Sequence, residues 1–174
     1  RDAALLALHV RSGLAPNEIR ILNWEEVLPV LTGSEEVSRP KLAGGRRAIH
    51  RTAAERLRAL HLAEGEPSTG PVFVTVRRPR SILSDSTVAA IVRNAAARAG
   101  FLPLDRRHLR APFGVWLRNH GWDDLAVRDG LGYGRMRDLR DALRPVEELN
   151  AQERTREALI VPTGRGDTRA TGPF

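Results

Sequence analysis

The chain has 174 residues, of which 41% are hydrophobic and 28% charged, enough for one domain with a buried core. It contains no cysteine, which excludes a disulfide framework and thiolate metal sites, and no apolar stretch approaches the roughly 18 residues that a membrane span needs. The 28 Lys and Arg residues outnumber the 21 Asp and Glu residues, and the net charge of +7 favours a polyanionic partner.

The first part of the chain is predicted to form two helices and then a β-rich region. An apolar face predicts a helix over residues 1–13, which a glycine ends. Pro16 is placed to start a second, short helix over residues 16–23, at the position that proline tolerates best. Residues 27–49 have a β-like pattern broken by turn signals, so we expect strands there.

The rest of the chain is predicted to be mostly helical. Thr52 is expected to cap a helix over residues 53–63, and Ser84 a helix over residues 85–99. Residues 72–76 form a short apolar run that is typical of a strand. Four more helices are predicted, over residues 109–120, 123–130, 136–143 and 146–160.

Short motifs follow one another in a specific order along the chain. They are Ser12-Gly13-Leu14, Leu22-Asn23-Trp24, Leu83-Ser84, Ala99-Gly100, Leu109-Arg110, Gly121-Trp122-Asp123 and Leu131-Gly132. In this order they resemble the catalytic domain of tyrosine recombinases, the family of phage integrases and Xer-type resolvases. The resemblance implies an α+β fold that is mostly α, a helical bundle with a small antiparallel β-sheet at one edge.

The resemblance also suggests a domain organisation. Residues 1–145 would form an integrase-like domain of the catalytic type, and residues 146–161 a C-terminal helix. Residues 162–174 are rich in glycine and have no apolar pattern, so we interpret them as a flexible tail.

The family's chemistry uses a set of residues that can be sought one at a time. Two arginines hold the scissile phosphate, a hairpin lysine and two histidine-type groups move protons, and a tyrosine attacks phosphorus. By the resemblance, the hairpin lysine corresponds to Lys41 and the second arginine to Arg110. The histidine three residues before Arg110 has become Arg107, and the His or Trp that follows Leu131-Gly132 has become Tyr133.

Two places in this set hold residues that cannot do the family's chemistry. The first arginine corresponds to Ala15 and the nucleophile to Ala142. Alanine cannot form a phosphotyrosyl intermediate, and losing one group that stabilises the developing charge costs about 3–4 kcal/mol. We therefore predict a pseudo-recombinase that is not an enzyme. An active recombinase with other catalytic residues is the alternative.

Tyr133 is the single tyrosine of the chain. Three roles are open to it: a relocated nucleophile, a polar contact to DNA, or a packed aromatic ring.

Basic residues are concentrated in three short stretches. These are Arg39, Lys41, Arg46, Arg47 and Arg51; Arg77, Arg78 and Arg80; and Arg106, Arg107 and Arg110. Arginine forks suit phosphate, although charged residues also simply solvate loops. We predict that the domain binds double-stranded DNA through Lys41, Arg46, Arg47, Arg77, Arg78, Arg107, His108, Arg110 and Tyr133.

Other site classes have no signal in the sequence. The five histidines lack metal-ligand spacing, and no phosphate-loop or dinucleotide glycine motif occurs. We expect no metal, no cofactor, no small-molecule substrate and no membrane association, and a cytoplasmic, nucleoid-associated location.

The predicted function is an architectural or regulatory role on DNA. The alternative is a pseudo-enzyme that serves protein–protein assembly, forming a homo-oligomer through its C-terminal helix.

Overall fold

A computed structural model of the chain describes residues 1–76, 79–100 and 109–160, with side chains described as far as residue 153. The helices of this part are α1 (Asp2–Ser12), α2 (Pro16–Arg20), α3 (Trp24–Leu31), α4 (Arg51–Ala63), α5 (Asp85–Arg98), α6 (Ala111–Asn119), α7 (Asp124–Leu131) and α8 (Met136–Ile160). Its strands are β1 (Val37–Ser38), β2 (Lys41–Leu42), β3 (Gly45–Arg46) and β4 (Ile49–His50). The mostly helical fold with small antiparallel sheets confirms the predicted class.

The β-rich region is smaller than predicted, because residues 27–31 belong to helix α3. The backbone N–H of Asn23 donates to Glu26 Oε2 at 2.9 Å, which fixes the start of that helix. The short apolar run resembled a strand, yet its buried positions lie on one side of a helix. Pro29 is exposed in the last turn, where its missing N–H removes one hydrogen bond to the first turn of the helix.

The strands form two separate two-stranded antiparallel ladders. In the first, β1 pairs with β4, so that Val37 lies opposite His50. In the second, β2 and β3 form a tight hairpin, in which Lys41 lies opposite Arg46. The strand predicted over residues 72–76 is reduced to a single bridge, between Val74 and Ile82.

Two helix starts test the predicted caps. Ser84 caps α5 as predicted, since its hydroxyl accepts from Thr87 N–H at 3.2 Å. Helix α4 starts two residues earlier than predicted, and its cap is His50, not Thr52. The Nδ1 atom of His50 accepts the Thr52 N–H at 3.1 Å, so an imidazole takes the role expected of a hydroxyl.

The C-terminal part differs from prediction in one respect: residues 136–160 form one continuous helix, with Pro145 inside it. Contacts on either side of the proline hold this helix in place. Leu143 is fully buried, Val146 packs on the same apolar cluster, and Glu147 is paired with Arg118 of α6. The boundary predicted at residue 145 is therefore not a break in secondary structure.

Two apolar clusters form the interior. The larger one is built mainly from α1 to α5, and Phe73 and Leu83 from the connecting segment are buried in it. The smaller one is built from α6, α7 and α8, with Ala48 from the end of the hairpin. The loop between α7 and α8 and the β2–β3 hairpin meet beside the smaller cluster, and this junction contains most of the described candidate site residues.

Candidate nucleic-acid interface

The β2–β3 hairpin presents two cations side by side. Lys41 and Arg46 are directly opposite each other in the ladder, and both are exposed. Among the described residues, neither side chain has a carboxylate within ion-pair distance. Like charges placed directly opposite each other destabilise a strand pair. The hairpin therefore carries a repulsion that an anion bound at its surface would relieve.

A cavity of about 400 Å³ opens between this hairpin and the loop that joins α7 to α8. Its lining residues are Arg39, Gly44, Gly45, Arg46, Arg47, Asp129, Gly132, Tyr133 and Gly134. Three of these are arginines, and the one acid, Asp129, is paired with Arg128. The cavity is therefore cationic, and it brings together Arg46, Arg47 and Tyr133 of the predicted interface.

Arg47, which the sequence predicted as a DNA contact, does not present its charge to the surface. It is only 8% exposed, and its Nε donates to Glu18 Oε1 at 2.6 Å. Its two Nη groups donate to the carbonyl oxygens of Gly44 at 2.6 Å and Arg46 at 3.0 Å. A guanidinium committed to these partners joins the hairpin to α2, and it has little capacity left for phosphate.

Glu18 completes this link, and the sequence offered a signal for it. Its second oxygen, Oε2, accepts the backbone N–H of Ala15 at 2.7 Å, so one carboxylate caps α2 and binds Arg47. The acid three residues after a helix start is the spacing of a capping box. The sequence could not indicate that Oε1 of Glu18 would accept from Arg47, which lies 29 positions away.

Arg110 is also held by backbone carbonyls. Its Nε donates to the Gly13 carbonyl at 2.5 Å, and its Nη2 donates to the Leu131 carbonyl. Its Cζ lies 4.9 Å from the centre of the Tyr133 ring. Arg110 thereby ties the end of α1 to the end of α7, and it does not line the cavity. These contacts give Arg110 a structural role next to the cavity.

Tyr133 lies in the loop after α7 with its hydroxyl turned inward. The hydroxyl oxygen is buried and has no hydrogen-bond partner among the described residues. Burial raises the pKa of the phenol above its usual value, against a smaller opposing effect of the Arg110 charge. Of the three roles left open by the sequence, this position favours the packed aromatic ring.

The remaining candidate residues divide into two groups. Arg77, Arg78, Arg107 and His108 lie outside the described residues. The two positions that matched the family's lost groups are described: Ala15 precedes the first turn of α2, and Ala142 is half-buried in α8. No tyrosine or arginine occupies either place.

The described ranges give no indication of a metal site or of a membrane-spanning helix. No group of three or more His, Asp or Glu side chains there could hold a metal ion. None of the helices in those ranges is both long and apolar enough to cross a membrane.

The chain is similar to one protein family and to solved structures. The sequence profile of the phage integrase family matches residues 1–140. A solved structure described as XerA recombinase superposes with a TM-score of 0.63 at 16% sequence identity, covering 87% of this chain and 57% of that one. At this identity the likeness concerns the fold, and the chain spans little more than half of that protein's length. None of the curated proteins compared with the chain matches it.

Proposed function

The chain belongs to the phage integrase family, and on that premise we propose that it binds double-stranded DNA without cutting it. The binding surface would be the β2–β3 hairpin and the cationic cavity beside it. The ligand would be the phosphodiester backbone, because the exposed groups there are guanidinium and ammonium donors. The role would be architectural or regulatory.

The observation that carries this proposal is the pairing of Lys41 with Arg46. A protein gains nothing in stability from two opposed cations without a nearby acid. A phosphate close to both side chains would turn this repulsion into two favourable contacts. The repulsion is therefore best explained by a polyanion that the domain binds.

The proposed lack of recombinase activity follows from comparing this sequence with the family's catalytic motif. Ala142 has no hydroxyl, and the single tyrosine has its hydroxyl buried against the protein interior. These 174 residues then contain no accessible tyrosine hydroxyl that could attack a DNA strand and form a covalent intermediate. The test is a nicked duplex substrate that traps the covalent intermediate. We expect no protein–DNA adduct by mass spectrometry, and an adduct at Tyr133 would overturn the proposal.

The binding test uses a fluorescein-labelled duplex and anisotropy titrations across about 50 to 200 mM salt, the range in which a phosphate-led interface weakens steeply. We expect a dissociation constant of about 10⁻⁴ to 10⁻⁶ M near physiological salt. The variant Lys41→Gln/Arg46→Gln should bind more weakly and lower the slope of log K against log salt by about 1.8, because each phosphate contact contributes about 0.9.

A matched control separates local contacts from net charge. The variant Arg93→Gln/Arg98→Gln also removes two positive charges, at exposed positions of α5 that do not line the cavity. It should keep the wild-type slope. If both double variants behave alike, the hairpin is not the binding surface and the proposal fails.

The alternative function, homo-oligomerisation through the C-terminal helix, stays a prediction with less support than DNA binding. Its supporting feature is Leu149 of α8, which is 58% exposed. Single exposed leucines are common on monomers, so this side chain gives little reason to expect an interface. Light scattering over a range of protein concentrations tests the idea, and a mass that rises with concentration would favour it.

A further inference from the structure

Arg39 and Trp122 form a contact at the rim of the cationic cavity. The Cζ atom of Arg39 lies 5.1 Å from the centre of the Trp122 ring, within the range of a cation–π interaction. Arg39 comes from the turn between β1 and β2, and Trp122 from the turn between α6 and α7. The contact therefore joins two parts of the chain that are far apart in sequence.

The two partners differ in how firmly they are held. Trp122 is half-buried and packs on the smaller apolar cluster, and a side chain at Gly130 would come within 3.6 Å of its ring. Its backbone N–H donates to the Leu117 carbonyl at 3.1 Å. Arg39 is exposed, and its carbonyl accepts from Arg46 Nη1 at 3.4 Å. A half-buried ring thus lies against an exposed side chain.

The charge of Arg39 is not neutralised by the protein. In the described ranges no carboxylate lies within ion-pair distance of its guanidinium. A guanidinium that rests on an aromatic face interacts through its flat surface, and the N–H groups along its edge stay free to donate. The edge of Arg39 is therefore available to an oxyanion at the mouth of the cavity, next to Arg46.

We propose that Arg39 is a further phosphate-binding residue of this surface and that Trp122 is the residue that positions it. The inference rests on the proposed binding of duplex DNA, and it extends the surface beyond the hairpin pair. The ring would restrict the Arg39 side chain before DNA binds. Less conformational entropy would then be lost on binding, so the ring would raise affinity without touching the DNA. Because the ligand is a phosphodiester, the contribution would not depend on base sequence.

A double-mutant cycle with the labelled duplex tests both halves of the inference. Arg39→Gln should weaken binding about tenfold and lower the salt slope by about 0.9. Trp122→Leu should weaken binding by roughly two- to fivefold in the wild-type background and have no effect in the Arg39→Gln background. Trp122→Phe, which keeps an aromatic face and most of the packing, should recover most of the affinity.

The possible outcomes are distinct. If Arg39→Gln leaves affinity and slope unchanged while Lys41→Gln/Arg46→Gln reduces both, the inference fails and the proposed function stands. Each Trp122 variant is compared in the wild-type and Arg39→Gln backgrounds. If Trp122→Leu and Trp122→Phe each weaken binding by the same factor in both backgrounds, the ring affects binding through the stability of the fold, and the positioning role is wrong. If the wild-type domain does not bind duplex DNA, both proposals fall together. The single variant Arg93→Gln is the charge-matched control, and it should keep the wild-type slope.

Discussion

Arg47 and Glu18 lie 29 residues apart in the chain, and Arg47 Nε donates to Glu18 Oε1 at 2.6 Å with both side chains largely buried. The same guanidinium reaches the Gly44 carbonyl of the hairpin turn. Its neighbour Arg46 is exposed and has no acidic partner among the described residues. Two adjacent arginines therefore have opposite assignments, one to the interior of the protein and one to its surface.

Replacing Arg47 by leucine should destabilise the fold. The change leaves the Glu18 carboxylate half-satisfied and two carbonyl oxygens without a donor, and breaking a buried pair by removing one partner is costly. We expect the free energy of unfolding in urea to fall by about 2–4 kcal/mol. The matched control is Arg46→Leu, which should change it by less than about 0.5 kcal/mol while weakening DNA binding. Equal stability losses at the two positions would contradict this assignment.

Replacing Tyr133 by phenylalanine should leave DNA affinity unchanged. The lost hydroxyl is buried without a partner, so its removal should stabilise the protein by about 0.5–1 kcal/mol. The measurement is thermal unfolding together with the anisotropy titration. A drop in affinity would show that the hydroxyl turns outward to DNA, which was one of the roles that the sequence left open.

The single tyrosine also permits a direct optical titration. Because burial raises the pKa of Tyr133, the absorbance change of ionisation should be centred above the ordinary value of about 10. The unfolded chain then loses its proton at lower pH than the folded one. Stability should therefore fall as the pH rises past about 10. A midpoint at or below 10 in the folded protein would contradict the buried position.

Gly132 should not tolerate a side chain. Its φ of +73° is in the left-handed region, and a Cβ there would lie 2.6 Å from Cζ of Arg47. Gly132→Ala should cost about 1–2 kcal/mol for the backbone alone, and more because the Arg47 guanidinium must move. Gly65→Ala is the matched control, since Gly65 has φ +82° and nothing within 4 Å of the added Cβ. If the two variants lose equal stability, the close approach to Arg47 is unimportant.

His50 should make stability depend on pH in the acid range. Burial lowers the pKa of its imidazole, against a smaller opposing effect of the Glu36 carboxylate, and its Nδ1 must be unprotonated to cap α4. The unfolded chain takes up a proton below about pH 6.5, while the folded state resists it. Stability from this residue is thus present above pH 6.5 and is lost as the pH falls below it. In His50→Asn, which keeps a capping side chain, this part of the pH dependence should disappear from urea unfolding curves.

The sequence predicted the helices well where local signals are strong. Ser84 has the spacing of an N-cap and is one, and the glycine after α1 ends that helix. It failed at residues 27–31, where a short apolar run with Pro29 suits a strand as well as a helix. Neither propensity nor period distinguishes the two when the run is this short. The capping of α4 by His50 was missed because histidine is not a usual capping residue.

The sequence indicated where the candidate site residues lie in the chain but not how each side chain is used. Charge clustering pointed to the hairpin and the family resemblance to the loop after α7, and residues of both line one cavity. Which arginine faces outward was not predictable. That choice depends on Glu18, and on carbonyl oxygens that only the folded chain brings near Arg47. The sequence does not distinguish Arg39 from the other arginines of its cluster, because the Trp122 ring beside it comes from a distant part of the chain.

Helix α8 passes through Pro145 without a break, and this has a mechanical consequence. It begins just after Gly134, which lines the cavity, and its 25 residues extend about 37 Å at the usual rise per residue. A fluorophore attached along the described part of this helix would report its distance from a label on DNA bound at the hairpin. Distance measurements by energy transfer could therefore locate the duplex on the protein without a crystal of the complex.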